Sequence, residues 1–165
     1  MLRLENIAGL NIEMSSVCNA KCQFCSRNKK VRDYGHHQIG LADFKKLPES
    51  MFKHLEWIDF GGNFGDLTTN KEMPEVAAYI KQLNPAIQLH GDTNGSLQKE
   101  SWWQKLGMHF QDGFLIFSLD GLEDTHALHR RGTDFNTILR NVQAFSGSGG
   151  TAYWKFILFE HNEHQ

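Results

Sequence analysis

An α/β chain wound as a partial βα barrel is the fold this sequence predicts, and three observations predict it. Short apolar runs of strand length alternate with segments that carry apolar residues at helical spacing, the pattern of βα units on a parallel sheet. About five such units fit in the 165 residues. The polar and glycine-rich motifs follow the apolar runs rather than precede them, which places them at C-terminal strand ends, where barrels gather their functional loops. With no internal repeat and no low-complexity linker, one domain over residues 1–165 is expected.

The elements follow in order. The first strand is expected at Leu10 to Met14, feeding into a cysteine loop. A helical segment starts near Leu41, with Phe44, Leu47, Met51 and Leu55 near one face and Pro48 positioned to break or restart it. Trp57 to Phe60 reads as the second strand, ending at Gly61-Gly62. Pro74 suits the first turn of a helix whose Val76, Ala77, Ile80 and Leu83 form a buried stripe. Asn84-Pro85 ends that helix.

Ile87 to His90 is the third expected strand. A short helix then carries Trp102, Trp103 and Leu106, with Gly107 as its C-terminal cap. Adjacent tryptophans cannot share one helix face, so one core and one partly exposed Trp are expected. Phe114 to Leu119, the most apolar run, is the fourth strand. A helix from Asp134, whose carboxylate suits an N-cap, turns Ile138, Leu139, Val142 and Phe145 inward. Ser146 to Gly150 connects it to a fifth strand, Tyr153 to Phe159.

Composition narrows the function classes. Apolar residues are 40% and charged residues 22%, ordinary for a globular protein. A net charge of -2 gives no bulk basic field for nucleic acid. No apolar run has the length to span a bilayer. The opening Met-Leu-Arg-Leu-Glu-Asn lacks the apolar centre of a secretory leader, so a reducing cytoplasm is expected.

The chemistry concentrates in Cys18, Cys22 and Cys25, the only three cysteines in the chain, all within the run Cys-Asn-Ala-Lys-Cys-Gln-Phe-Cys. Thiolates are preferred ligands of iron–sulfur clusters, and tight spacing lets one loop wrap one cluster. Three thiolates on a four-iron cube leave one iron without a protein ligand, an open position of the kind that marks catalytic metal sites. Two other uses of the cysteines compete: a structural zinc completed by His36 or His37, and disulfide pairing. Zinc ligands usually come as separated pairs, and an odd count with tight spacing does not suit disulfides.

Cys-x-x-x-Cys-x-aromatic-Cys, with Phe24 as the aromatic, resembles the signature of the radical S-adenosylmethionine (radical SAM) superfamily. The resemblance implies a partial (β/α) barrel with six units in its core, of which about five are visible here. It implies a [4Fe–4S] cluster on the three cysteines and SAM chelated at the open iron. One electron then cleaves SAM to a 5′-deoxyadenosyl radical, which removes hydrogen from a substrate. Phe24 resembles the position beside the adenine, an ordinary core aromatic being its alternative.

Four further motifs match family positions in order. Gly61-Gly62-Asn63-Phe64-Gly65-Asp66 resembles the Gly-Gly-Glu-Pro element that holds the SAM amino group. Asn63 stands where a direct alignment puts Glu; with one inserted residue, Gly65-Asp66 takes that part, and a carboxylate suits an ammonium better. Leu67 replaces the usual Pro. Thr93-Asn94-Gly95 resembles a tripeptide of the peptide-modifying branch. Ser118 and Asp120, on one face of a strand, resemble the Ser-x-Asp-Gly strand end near the ribose and methionine of SAM. Arg130 or Arg131, with Arg130 preferred, resembles the arginine that pairs with the SAM carboxylate. Leu158 and Asn162 fall where the family contacts adenine. No catalytic side chain beyond the cluster ligands stands out.

The resemblance also implies an electron donor such as a flavodoxin or ferredoxin, for which Arg27, Lys29, Lys30 and Arg32 offer positive charge, a solvated face being the alternative. It suggests a peptide or protein substrate. The last helix and strand of a six-unit core are not visible, so a further segment or a partner is expected to complete the barrel. Non-catalytic iron–sulfur or metal binding, and an inactive fragment of such a protein, remain the alternatives. His36, His37, His126, His129, His161 and His164 are expected to face solvent.

Overall fold

Five strands pair in chain order into a single parallel sheet, β1-β2-β3-β4-β5. They are β1 (Gly9–Asn11), β2 (Trp57–Phe60), β3 (Gln88–Thr93), β4 (Phe114–Ser118) and β5 (Ala152–Lys155). The structure, a computed structural model, describes residues 6–29 and 35–165, so Lys30 and Arg32 lie outside the described residues. Parallel neighbours require crossovers. These carry α1 (Leu41–Phe44), α2 (Glu49–His54), α3 (Met73–Leu83), α4 (Glu100–Gly107), α5 (His126–His129) and α6 (Phe135–Gly147).

Strand alternation gives the sheet two unlike faces. Ile58, Phe60, Leu89, Leu115 and Phe117 point to the helix layer and are buried. There Trp103 of α4 sits 5.3 Å from Phe117 and 6.2 Å from Phe145 of α6, ring centre to ring centre. Its indole N–H donates to the Leu97 carbonyl at 2.9 Å, so the largest core side chain leaves no polar atom unmet. On the opposite face, Asn11, Asp59, His90 and Phe114 stand side by side across four strands. Asp92, Ile116 and Tyr153 form the next row, and Ser118 and Lys155 the one above. That face bounds the barrel interior and points its polar residues toward the strand ends.

The second strand matches its predicted bounds, and the Pro48 break holds: Pro48 is the N-cap of α2. Asp134 caps α6 by accepting from the Thr137 amide at 2.7 Å. Trp103 is fully buried and Trp102 partly so. Several expectations are corrected. β1 ends before Met14, although the Ile12 amide still donates to Asp59 O at 2.8 Å. β3 runs on to Thr93, because Gly91, Asp92 and Thr93 keep register with β4. Gly107 is the last residue of α4 and not a left-handed cap; a Cβ there would stand 2.2 Å from the Phe145 carbonyl oxygen, so glycine permits the close approach of α4 and α6.

β5 stops at Lys155, since the Ile157 and Phe159 amides donate to the side chains of Asp120 and Asn162 instead of to a neighbouring strand. Leu47 and Leu139 turn outward, and Leu139 lines an apolar groove of about 290 Å³ with Val142, Tyr153 and Trp154. His126 and His129 are buried, because α5 packs behind the cysteine loop; His161 is half-buried and stacks on Phe159, while His36, His37 and His164 are exposed.

Candidate active site at the strand ends

A cavity of about 320 Å³ opens at the C-terminal end of the sheet. Cys18, Cys22 and Cys25 line it together with the glycine loop after β2, the end of β3, Ser118 and Arg130. The cysteine loop is tied down by backbone and side-chain hydrogen bonds. The Lys21 amide donates to Arg131 O at 2.7 Å and the Gln23 amide to His129 O at 3.3 Å. Asn28 Nδ2 donates to Cys22 O at 2.8 Å, and Asn19 Nδ2 to Ser96 Oγ at 2.9 Å. The loop is therefore held both by contacts made far along the chain and by its own turns, the Cys25 amide donating to Cys22 O at 3.2 Å.

Two sulfurs already receive hydrogen bonds. Asn94 Nδ2 lies 3.6 Å from Cys18 Sγ, and Arg130 Nη1 lies 3.8 Å from Cys22 Sγ. Donors aimed at sulfur favour thiolate character and tune iron–sulfur centres. Burial, then the nearby Asp66 charge, pushes the Cys18 thiol up to about 11. Burial also raises the Cys22 thiol, against the pull of the Arg130 guanidinium. In the metal-free chain these are protonated thiols, so metal uptake must release protons.

Asp66, 4% exposed, is the hub of the loops. Its Oδ1 accepts from Thr68 N (3.0 Å), Thr68 Oγ1 (2.5 Å) and Thr93 Oγ1 (2.9 Å). Its Oδ2 accepts from Asn94 N and Asn94 Nδ2, both at 2.7 Å. Five donors saturate a carboxylate. Asp66 thus fixes Asn94, and Asn94 in turn reaches Cys18. Gly65 beside it passes so close to the segment leading into the cysteine loop that a Cβ would lie 2.0 Å from Ser15 O. Asn63 faces away from this hub. Glu13 Oε1 accepts from Asn63 N and Nδ2 at 3.0 Å each, and its Oε2 accepts from Phe64 N at 3.2 Å.

Arg130 is held by Asp120, whose Oδ2 accepts from Nε at 2.6 Å and whose Oδ1 accepts from the Ile157 amide at 2.7 Å. Asp120 is fully buried and does not line the cavity, so its part is to aim Arg130. Of the two arginines left open by the sequence, Arg130 lines the cavity and Arg131 does not.

The structure thus brings Cys18, Cys22, Cys25, Gly61, Gly62, Asn63, Asp66, Thr93, Asn94, Ser118 and Arg130 to one cavity. Four residues singled out in the sequence stand apart from its lining. Phe24 is 61% exposed, stacked at 5.9 Å on His129 and 6.0 Å on Phe159, and is not a core aromatic. Asp120 lies beneath Arg130, and Leu158 is exposed. Asn162 is fully buried, its Nδ2 donating to Ile157 O and its Oδ1 accepting from Phe159 N.

Sequence reasoning missed Asn11, Asp59, Asp92 and Lys155, which also line the cavity. The signal was available: strands of a parallel sheet covered on both faces read as continuous apolar runs, and Asn11, Asp59, His90, Asp92 and Lys155 break those runs on one face.

Among the described residues, no three His, Cys, Asp or Glu side chains converge on a single metal position. Three thiols on one loop, all lining one cavity, are a donor set that fits an iron–sulfur cluster.

The family model described as Radical SAM superfamily matches residues 12–163. No curated protein sequence matches the chain significantly. Solved structures with a similar fold include native anSMEcpe with bound AdoMet and Cp18Cys peptide, at 25% identity and a TM-score of 0.63, covering 88% of this chain and 42% of that one. SuiB of Streptococcus suis bound to precursor peptide SuiA is 18% identical, with a TM-score of 0.71 and coverage of 96% and 35%. BtrN in complex with AdoMet and 2-DOIA is 16% identical, with a TM-score of 0.65 and coverage of 91% and 56%. The chain spans about two fifths of the length of the anSMEcpe structures.

Proposed function

The chain belongs to the radical SAM superfamily, and on that premise we propose that its cavity holds a [4Fe–4S] cluster and SAM and serves a radical SAM reaction on a peptide or protein. The observation that carries the reading is convergence. Three cysteines, a glycine loop, Asn94 and Arg130 come from separate βα units and meet in one cavity. When bound, such a cluster supplies the electron that cleaves SAM to the 5′-deoxyadenosyl radical.

The chain's own residues do the rest. Cys18, Cys22 and Cys25 would be the three ligands, bound as thiolates. Asn94 and Arg130 donate to Cys18 and Cys22 sulfur, where they would stabilise the negative charge of a bound cluster. Asp120 keeps the guanidinium in place, with the rest of its donor fork open to a carboxylate such as that of SAM. Gly61 and Gly62 leave backbone bare at the cavity wall, where amides and carbonyls can meet a ligand. Asp66 acts through the loops it ties together. Phe24, exposed at the edge of the His129–Phe159 stack, offers a ring face to adenine.

Two of the fold neighbours are solved with peptides, which supports the peptide class. A flavodoxin or ferredoxin is the class of electron donor. Residues 1–165 form one core domain, and a reducing cytoplasm suits the cluster. No helix among the described residues is long and apolar enough to cross a membrane.

The test is anaerobic reconstitution with iron and sulfide, then dithionite and SAM. The reading predicts 5′-deoxyadenosine from the wild-type chain, and loss of both iron and product in Cys22→Ala. A full iron complement in Cys22→Ala would end the ligand assignment.

A further inference from the structure

Below the cysteines the cavity has a second, differently charged end. Arg27 and Arg130 line it beside the thiols, whereas Asn11, Asp59, Asp92 and Lys155 line the strand side. Asp59 lies two residues before Gly61 on β2, about 7 Å deeper at ~3.3 Å per strand residue. Asp92 and Lys155 form an ion pair across the mouth of this floor. Their charges cancel, and Asp59 is left over. Its Oδ1 is buried and has no hydrogen-bond partner among the described residues. His90 stands beside it in register on β3 but makes no hydrogen bond to it.

Asp59 is half-buried, but its buried Oδ1 without a donor costs free energy in the empty chain, and native structures seldom leave such an atom so. Burial, then the Asp92 charge, pushes the Asp59 carboxyl up from its usual range. Among the described residues, Asp59 caps no helix and forms no salt bridge. Around it His90 and Asp92 are half-buried while Asn11 and Lys155 are exposed, so the strand side of the cavity is polar and reachable from solvent. A cavity end with a buried acceptor oxygen and no donor of its own suits the polar tip of a ligand.

We infer that Asp59, beside the Asp92–Lys155 pair, is a specificity-determining floor that takes a cationic N–H-rich group of the substrate, an aliphatic amine or guanidinium. This deepens the proposed function and rests on it for the identity of the cavity as the active site. The polarity of the cavity agrees: arginines stand where an anionic cluster would sit, and carboxylates stand where a cationic side chain would enter. Lys155 repels a second cation and orients Asp92, so one positive group is accommodated.

Calorimetric titration of the anaerobically reconstituted protein with three probes tests this: N-acetyl-lysine methylamide, N-acetylnorleucine methylamide and N-acetylglutamate methylamide. The lysine probe is expected to bind about tenfold or more tighter than the norleucine probe, with the glutamate probe weakest. Asp59→Asn should shrink the lysine preference to about twofold. It should also melt at the wild-type temperature or above, since the neutral amide removes the repulsion between Asp59 and Asp92. Equal affinity for the three probes, or a lower melting temperature in Asp59→Asn, overturns the inference. A SAM-dependent change in the cluster spectrum, recorded on the same sample, separates the two readings. Lysine selectivity without that change keeps the floor and removes the cofactor site. The change without selectivity does the reverse.

Discussion

One face of the sheet meets helices and the other meets a cavity, and the same five strands supply both. On β4, Leu115 and Phe117 are buried against α4 and α6, while Ile116 and Ser118 between and beyond them look into the lumen. On β2, Ile58 and Phe60 are fully buried, and Asp59 between them lies in the cavity wall. The difference teaches where each kind of selection acts. The helix-facing residues are chosen for volume and for exclusion of water. The lumen residues are chosen for what they can bind, since a polar group in such a place stabilises nothing unless it is paired.

Substitutions on adjacent residues test that contrast. Phe117→Ala, which empties a site among Trp103, Phe145 and Gly95, should cost ~3–5 kcal/mol in urea unfolding. Ile116→Ala, one residue away but facing the half-open lumen, should cost only about 1 kcal/mol. Equal losses would mean that the lumen is a second core. Asp134→Ala, at the exposed start of α6, touches neither face and removes only a cap, so a loss of about 1 kcal/mol is expected. Because the Thr137 hydrogen bonds hold the Asp134 carboxyl below its usual range, that contribution is present above the ordinary carboxylate range and fades as pH falls through the lowered value.

A smaller effect separates the two sides by pH. Burial, then the Arg130 charge, holds the His126 ring below the usual histidine range. The unfolded chain therefore takes up the proton first, and stability falls as pH drops below about 6.5. His126→Asn should flatten that part of a melting-temperature profile. A profile unchanged by the substitution would place the acid sensitivity elsewhere, with His90 on the lumen side the next residue to test.

How much of this was legible follows from how local each cause is. β2 was readable because two glycines end it and its pairing spans all four residues. The Pro48 break and the Asp134 cap were readable because both are single-residue effects. β5 was overestimated because Ile157-Leu158-Phe159 has strand propensity, whereas Asp120 and Asn162 take two of its amides. The burial of His126 and His129 could not be read from spacing, since it depends on α5 packing behind a loop more than a hundred residues earlier. In the site, the cysteines and the polar strand ends were legible as motifs. The lumen row was not, because each strand was read as one apolar run and the polar residues inside it were passed over. Glu13 was missed for another reason: its partners Asn63 and Phe64 lie fifty residues away and carry no pattern linking them to it.

The central claim is that three thiolates leave one iron of a cube open to SAM. Electron paramagnetic resonance of the reduced, anaerobically reconstituted protein, with and without SAM, tests it most directly. The account predicts a [4Fe–4S]⁺ signal whose g-values shift when SAM is added, and no such signal in Cys18→Ala. An identical spectrum with and without SAM, or zinc in place of iron, would contradict it.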